Sequence, residues 1–144
     1  MVINAALKPI NQQLKTFTMK TLNFESFVSS YLATASWITC DSGENTDFTR
    51  EGKKIAAKEC QLFIDRIIKE FGEEQAMELL TVPVNDLDYL AAHCFFLNRN
   101  GHGSGFWDRE IEFGEYADKL SNISKEMKGS DCYHVRGKKS KLTF

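Results

Sequence analysis

Proline and glycine are scarce in this chain of 144 residues, which has two prolines and nine glycines. Their scarcity excludes a collagen-like repeat and a Pro/Gly-rich disordered chain, and it favours long helices. No stretch approaches the roughly 18 consecutive apolar residues of a membrane-spanning helix, and residues 1–20 lack the apolar run of a signal peptide. We therefore expect no membrane partner and a location in the cytoplasm.

Cysteines close together in sequence are also lacking. Cys40, Cys60, Cys94 and Cys132 lie 20, 34 and 38 residues apart. The CxxC spacing of zinc knuckles and thioredoxin-like sites is therefore excluded. Cys60 and Cys94 fall within apolar helical patterns and are predicted to be small core residues, and free thiols suit a reducing compartment.

A strong overall charge is absent too, because the formal net charge is −2. This balance excludes general attraction of the whole chain to nucleic acid or to an anionic membrane. The charge is nevertheless uneven. Residues 41–88 hold twelve acidic and six basic side chains, and residues 131–144 hold one acidic side chain against four basic ones, Arg136, Lys138, Lys139 and Lys141. Solvated faces explain both regions, with an acidic patch for a basic partner and a phosphate-binding hairpin tip as the alternatives.

Apolar residues recur at helical spacing over most of the chain. The first stripe predicts a helix from about Asn23 to Trp37 or Ile38, with Phe24, Phe27, Val28, Tyr31, Leu32 and Ala35 on one face. Cap chemistry predicts a second helix from Thr49 to Phe71 that ends at Gly72. The remaining predicted helices are Glu73–Leu80, a fourth that Asn85 caps with Asp88 in a capping box and that stops at Gly101, and Phe113–Met127.

The end of the chain alternates between polar and apolar residues. Residues 132–135 and 141–144 are predicted strands, with Arg136–Lys139 between them as a turn. Two strands alone are marginally stable, so they must pack on the helices or pair with another strand. The predicted fold class is α+β: one mostly α-helical domain over residues 21–144, with about five helices and a C-terminal β-hairpin. Residues 1–20 are predicted to be an N-terminal extension.

Three glycines alternate with polar side chains in the segment Asn98–Asp108, which reads NRNGHGSGFWD. A hydrophobic core does not need this mixture of glycine, imidazole, guanidinium and indole, so the segment is the best candidate site. It follows a helix, whereas a dinucleotide-binding glycine turn follows a strand. It also lacks the Lys-Ser/Thr ending of a Walker loop. The sequence therefore excludes both kinds of nucleotide site here.

The longer stretch Leu90–Arg109, LAAHCFFLNRNGHGSGFWDR, resembles a block in many small proteins of tailed bacteriophages and prophages. In that family the block is similar to GHDFWLTRNGHGAGFWDR, and the resemblance covers about the last 60 residues. It implies a viral setting and an accessory role in the cytoplasm of the infected host cell, with no catalytic assignment to transfer. Cys94 stands where the family often has Asp and Phe96 where it often has Trp, which weakens an enzymatic interpretation of this chain.

Catalysis and metal binding are the chemical alternatives for the segment. A small hydrolase or nucleotide-processing enzyme would use His102 with Asp108 as its orienting carboxylate, and Ser104 or Cys94 as nucleophile. A metal would take its ligands from His93, His102 and Asp108, but their spacing matches no standard site. We expect no cofactor and no metal.

The remaining alternatives are a structural loop and a recognition site. In a structural loop, Arg99 would pair with Asp108 or Glu110, the two asparagines would cap backbone groups, and the aromatic pair would plug the core. In a recognition site, the segment would contact a partner through hot-spot chemistry, with Asn98, Arg99, Asn100, His102, Phe106, Trp107 and Asp108 as the contact residues. The leading hypothesis is a non-catalytic bacteriophage accessory protein that binds a host or phage protein for host takeover or counter-defence. Weak nucleic-acid binding through the basic tail is the last alternative.

Overall fold

The computed structural model describes residues 21–40, 47–85, 88–136 and 138–144, without the side chains of residues 138–140. The predicted extension over residues 1–20 lies outside the described residues. In the described ranges the chain is an α+β fold, mostly helical with a C-terminal hairpin, as predicted. None of the described helices has both the length and the hydropathy needed to cross a membrane.

Local cap chemistry sets the bounds of the first three helices. Helix α1 is Phe24–Thr39, and the Asn23 side chain accepts a hydrogen bond from the Ser26 backbone N–H. Helix α2 is Arg50–Phe71, capped by the Thr49 side chain and ended by Gly72 at φ 84°. Helix α3, Glu73–Leu80, follows at once and has two acidic residues in its first turn, where they favour the helix dipole. The three predicted helices are confirmed.

The predicted cap at Asn85 is wrong. Asn85 ends strand β1 of a two-stranded ribbon, Pro83–Asn85, which pairs antiparallel with Asp88–Tyr89 (β2). Helix α4 begins only at Leu90 and runs to Arg99, and no side chain caps its first turn. The helix is therefore shorter than predicted, and Asp88 is free for a contact elsewhere. Leu87, which falls within the predicted fourth helix, lies outside the described residues.

The predicted fifth helix is broken at its start. Helix α5 spans Glu110–Phe113, a 3₁₀ turn covers Gly114–Tyr116, and helix α6 runs from Ala117 to Glu126. Gly114 takes a positive φ of 58°, which glycine adopts without the penalty of a side chain. The break separates the short helix beside the glycine-rich segment from the longer one that packs on the core.

A small mixed sheet closes the fold. The predicted hairpin is confirmed as strands Tyr133–Val135 (β4) and Lys138–Thr143 (β5), which pair antiparallel. The sequence pattern missed a third strand, Asp47–Phe48 (β3), which pairs parallel with β5 at Phe48 and Leu142. This added strand, buried through Phe48, gives the hairpin the further pairing that its marginal stability requires.

Stacked aromatic rings form the centre of the core. The Phe63 and Phe95 rings lie 4.0 Å apart and nearly parallel, and Phe63 also stacks against Phe106 at 6.0 Å. Phe106 meets Phe113 edge to face at 5.0 Å. The rings of α2, α4, the glycine-rich segment and α5 are thereby packed together. Because these rings are closely packed, they fix the position of the glycine-rich segment that follows α4.

Candidate functional site

Arg99 is a buried structural residue. Its guanidinium donates to the Glu59 carboxylate at 2.8 Å, to the carbonyls of Met127 and Lys128 at 3.0 and 2.8 Å, and to the Tyr31 hydroxyl at 3.3 Å. The predicted pairing with Asp108 or Glu110 is therefore wrong. Arg99 joins α4 to α2 and to the end of α6. It is sealed from solvent, so it holds the fold together instead of presenting a charge to a partner.

The two asparagines also hold the backbone. Asn98 is buried, and its Oδ1 accepts from the Phe106 N–H at 2.6 Å. The Asn100 Oδ1 accepts from the Ser130 N–H at 2.6 Å, and its amide donates to the Phe96 carbonyl at 3.1 Å. Both asparagines therefore bind backbone groups, as in the structural-loop alternative. Asn98 does not reach the surface, so it is not a contact residue.

Gly105 shows why the segment needs glycine. It adopts φ 155° and ψ −152°, a region used almost only by glycine. A Cβ there would lie 2.4 Å from Asn98 Oδ1, inside the side chain that binds the next residue's N–H. Asp108 completes the turn, since its Oδ1 accepts from the Gly105 N–H at 3.1 Å. The glycine is part of the turn's packing.

The predicted His102–Asp108 pair does not form. Asp108 bonds to the Gly105 backbone, while the His102 ring stacks on Phe96 at 5.8 Å and its Nε2 lies 3.7 Å from Asp131 Oδ1. The aromatic pair divides, because Phe106 is buried in the core and Trp107 is 47% exposed. Trp107 is therefore the aromatic residue of the segment that another molecule can reach.

An open groove of about 600 Å³ lies beside the segment. The stretch Leu90–Arg109 contributes lining residues from α4 and the chain that follows it, including His93, Leu97, Ser104 and Arg109. Helix α1 adds Trp37, and strand β1 adds Val84. Trp37 and Val84 are 74% and 52% exposed, so large apolar side chains face solvent where the groove is open. Such exposed apolar surface commonly marks a binding site.

The sequence pattern does not identify Trp37 and Val84 as residues of the site. Trp37 is off the stripe that buries α1, because the last buried position of that stripe is Ala35. A large aromatic residue on the solvent-facing side of an amphipathic helix is the signal in the sequence by which Trp37 could be identified. Val84 directly precedes the predicted cap Asn85, and its exposure depends on the pairing of the ribbon, which the sequence pattern does not show.

His93 connects the elements that surround the groove. Its Nε2 lies 2.6 Å from Asp88 Oδ1, and its Nδ1 contacts Thr34 Oγ1. An ionised carboxylate only accepts hydrogen bonds, so the Nε2 carries the hydrogen and donates to Asp88. The Thr34 hydroxyl donates its single hydrogen to the Ser30 carbonyl at 3.1 Å. One imidazole thus links α1, α4 and the ribbon.

The other chemical alternatives find little support in the described ranges. No group of three or more His, Cys, Asp or Glu side chains there is placed to hold a metal ion, so the proposed ligands His93, His102 and Asp108 are not brought together. Burial raises the pKa of the Cys94 thiol to about 12. Cys94 is therefore protonated at neutral pH, and a thiolate nucleophile at this position is not formed.

The basic tail is only partly described. Arg136 is exposed, and the Lys141 ammonium pairs with Asp47 at 3.4 Å. The side chains of Lys138 and Lys139 lie outside the described residues. The nucleic-acid alternative therefore stays a prediction that rests on the sequence.

Comparisons of the chain with protein-family models, with curated proteins and with solved structures found no match. The function has to be inferred from the groove and the residues that line it.

Proposed function

We propose that this chain is a binding protein whose groove receives an apolar segment of a partner protein. One observation carries the proposal: the stretch Leu90–Arg109, which carries the resemblance, supplies part of the lining of the same groove at which Trp37 and Val84 are exposed. The buried residues of the block hold that surface in place, and its outward residues form it. One stretch of sequence thus supplies part of the lining and the buried contacts behind it, while α1 and β1 supply the exposed apolar side chains.

The size and lining of the groove support binding. Ligand pockets have volumes of about 300–1,000 Å³, mostly apolar walls and a few placed polar groups. This groove has apolar residues from α1, β1 and α4, and its polar lining residues are Thr34, His93, Ser104, Arg109 and Glu112. Exposed tryptophan is also the side chain that most often dominates the energy of an interface. Trp37 is the expected anchor.

The setting is proposed from the resemblance to tailed-phage and prophage proteins. In that setting the chain acts in the cytoplasm of the infected host cell, and the partner is a host or phage protein whose activity it modulates. The expected contact residues change from the buried Asn98 and Arg99 to the residues that line the groove.

Affinity capture from phage-infected cells tests the proposal. Three baits are compared: the wild-type chain, the double variant Trp37→Ala/Val84→Ser, and the control Ile111→Ser. Ile111 is 97% exposed and does not line the groove. A protein retained by the wild type and the control but lost from the double variant is the expected result. Equal retention by all three baits, or none by any, contradicts the proposal.

A hydrolase is the second candidate, favoured by a specific contact set. A hydroxyl, an imidazole and a carboxylate meet in the order Thr34, His93, Asp88, which is the order of groups in a Ser-His-Asp triad, with the two ring nitrogens exchanged. These residues replace the His102 and Asp108 of the sequence-based hypothesis. We rank this candidate second because Thr34 is buried and its hydroxyl also bonds to the Ser30 carbonyl.

Ester hydrolysis separates the two candidates. The purified chain is assayed with p-nitrophenyl butyrate beside Thr34→Val, which removes the hydroxyl and keeps the shape. The binding proposal predicts that neither protein exceeds the buffer rate. Hydrolysis by the wild type that Thr34→Val abolishes would favour the hydrolase.

A further inference from the structure

Two oppositely charged residues, Arg109 and Glu112, line the groove. In the described part of the chain, neither side chain takes part in an ion pair or a hydrogen bond. The Glu112 N–H donates to the Arg109 carbonyl at 3.2 Å, so one helical turn separates the two residues. Arg109 immediately precedes α5, Glu112 lies within it, and both line the groove. A positive and a negative group thus lie near each other at one part of the groove.

His93, the other ionisable residue among those that line the groove, is already engaged. Asp88 and His93 bond to each other, and Asp108 accepts from the Gly105 N–H. Arg109 and Glu112 are therefore the charges that remain for a bound molecule. A guanidinium binds a carboxylate through two parallel hydrogen bonds, and a carboxylate pairs with a basic side chain.

We propose that the groove recognises a partner segment in which a large apolar side chain is accompanied by one acidic and one basic residue. The apolar side chain lies against Trp37 and Val84, the acidic residue pairs with Arg109, and the basic residue pairs with Glu112. This inference rests on the proposed binding function and adds the chemistry of the partner to it. Because Arg109 and Glu112 occupy different positions along the lining of the groove, we expect them to select the order of acid and base along the segment.

An ion pair between Arg109 and Glu112 themselves is the competing arrangement. They do not approach within the 4.0 Å of an ion pair here, since the structure pairs neither of them. Such a pair on an exposed surface contributes little. Pairing with a partner across a surface that excludes water is stronger and discriminates between partners. The experiment distinguishes the two arrangements.

Selection of random peptides displayed on phage against the full chain tests the inference. The wild type is compared with the exchange variant Arg109→Glu/Glu112→Arg, which keeps the net charge. We expect the wild type to enrich peptides with an apolar anchor and with acid and base in one order. The exchange variant should enrich the same anchor with that order reversed. Synthetic peptides of the wild-type pattern should bind the exchange variant about tenfold more weakly.

The outcomes separate this inference from the proposed function. Anchors enriched without charged neighbours, or with the same order on both proteins, overturn the charge recognition. Loss of binding by Trp37→Ala/Val84→Ser in that case leaves the groove function standing. No enrichment on the wild type, or equal binding by the double variant, overturns both. If the exchange variant fails to fold, Arg109→Gln and Glu112→Gln keep the test, because each should lose the preference for one charge only.

Discussion

Arg99 donates a hydrogen bond to Glu59 at 2.8 Å, although 40 residues separate them in the chain. The Arg99 side chain is 2% exposed and that of Glu59 is 23% exposed. A guanidinium inside the core is costly unless a carboxylate and carbonyl oxygens receive its hydrogens. The contact therefore ties α2 to α4 at the root of the glycine-rich segment.

Removing the Glu59 carboxylate should strongly destabilise the fold. Glu59→Ala leaves a buried charge without its counter-ion, so we expect the free energy of unfolding to fall by about 3 kcal/mol. Arg66→Ala is the matched control, because it breaks the exposed pair with Glu126 and should cost less than about 1 kcal/mol. Urea denaturation measures both. Equal losses for the two variants would show that Arg99 does not depend on Glu59.

Two glycines of the same segment should respond differently to alanine. Gly105→Ala combines a glycine-only backbone conformation with a Cβ at 2.4 Å from Asn98 Oδ1, so a loss of about 2 kcal/mol or more is expected. Gly103 has open space around its Cβ position and no positive φ. Gly103→Ala should change stability by no more than about 0.5 kcal/mol. Thermal melts followed by circular dichroism compare them, and a tolerated Gly105→Ala would contradict the packing described.

The helix bounds that could be predicted from the sequence are those set by cap residues that act on nearby backbone groups. Asn23, Thr49 and Gly72 act on backbone groups within four residues, so their helix bounds are readable from the chain. Asn85 and Asp88 match the same pattern, yet Asp88 bonds to His93 and Asn85 lies in a strand. Pairing of the ribbon outweighed the local cap preference there.

The site was predicted only in part, because its contacts are distant in sequence. The composition of Asn98–Asp108 correctly drew attention to that region, but the partners of Arg99 lie up to 68 residues away. In the sequence, a guanidinium, an imidazole and an indole are equally compatible with a surface position. Only the folded structure shows which of these side chains is buried. In the folded chain Arg99 is buried and Trp107 is half exposed. Trp37 reaches the groove from another helix through the packing of α1 on α4.

Asp47 should make the fold sensitive to acid. Its carboxylate accepts from the Phe48 N–H at 2.8 Å, and this bond, with Lys53 and Lys141 nearby, lowers the pKa of Asp47 below its ordinary 3.8. A lowered folded pKa contributes stability above the unfolded value, and that stability is lost as the pH falls below about 3.8 toward the folded pKa. Melting temperatures of the wild type and Asp47→Asn should therefore converge as the pH falls from 6 to 3. A constant difference would contradict the shift.

Thiol reactivity should divide the cysteines by burial. Cys60 and Cys94 are buried, and burial raises the pKa of both thiols, whereas Cys40 and Cys132 are partly exposed. With DTNB at pH 8 the native chain should leave Cys60 and Cys94 unmodified, and denaturant should release them. Peptide mapping by mass spectrometry identifies the modified positions. Rapid native labelling of Cys60 or Cys94 would contradict the packing of α2 or α4.

Photo-crosslinking in infected cells tests the binding groove most directly. The amino acid p-benzoylphenylalanine replaces Trp37 in the groove or, separately, Ile111 on the exposed face of α5. We predict one partner protein covalently attached to the chain carrying the crosslinker at position 37, and no such product from position 111. A partner attached from position 111 while position 37 yields none would place the contact elsewhere and contradict the groove as the site of binding.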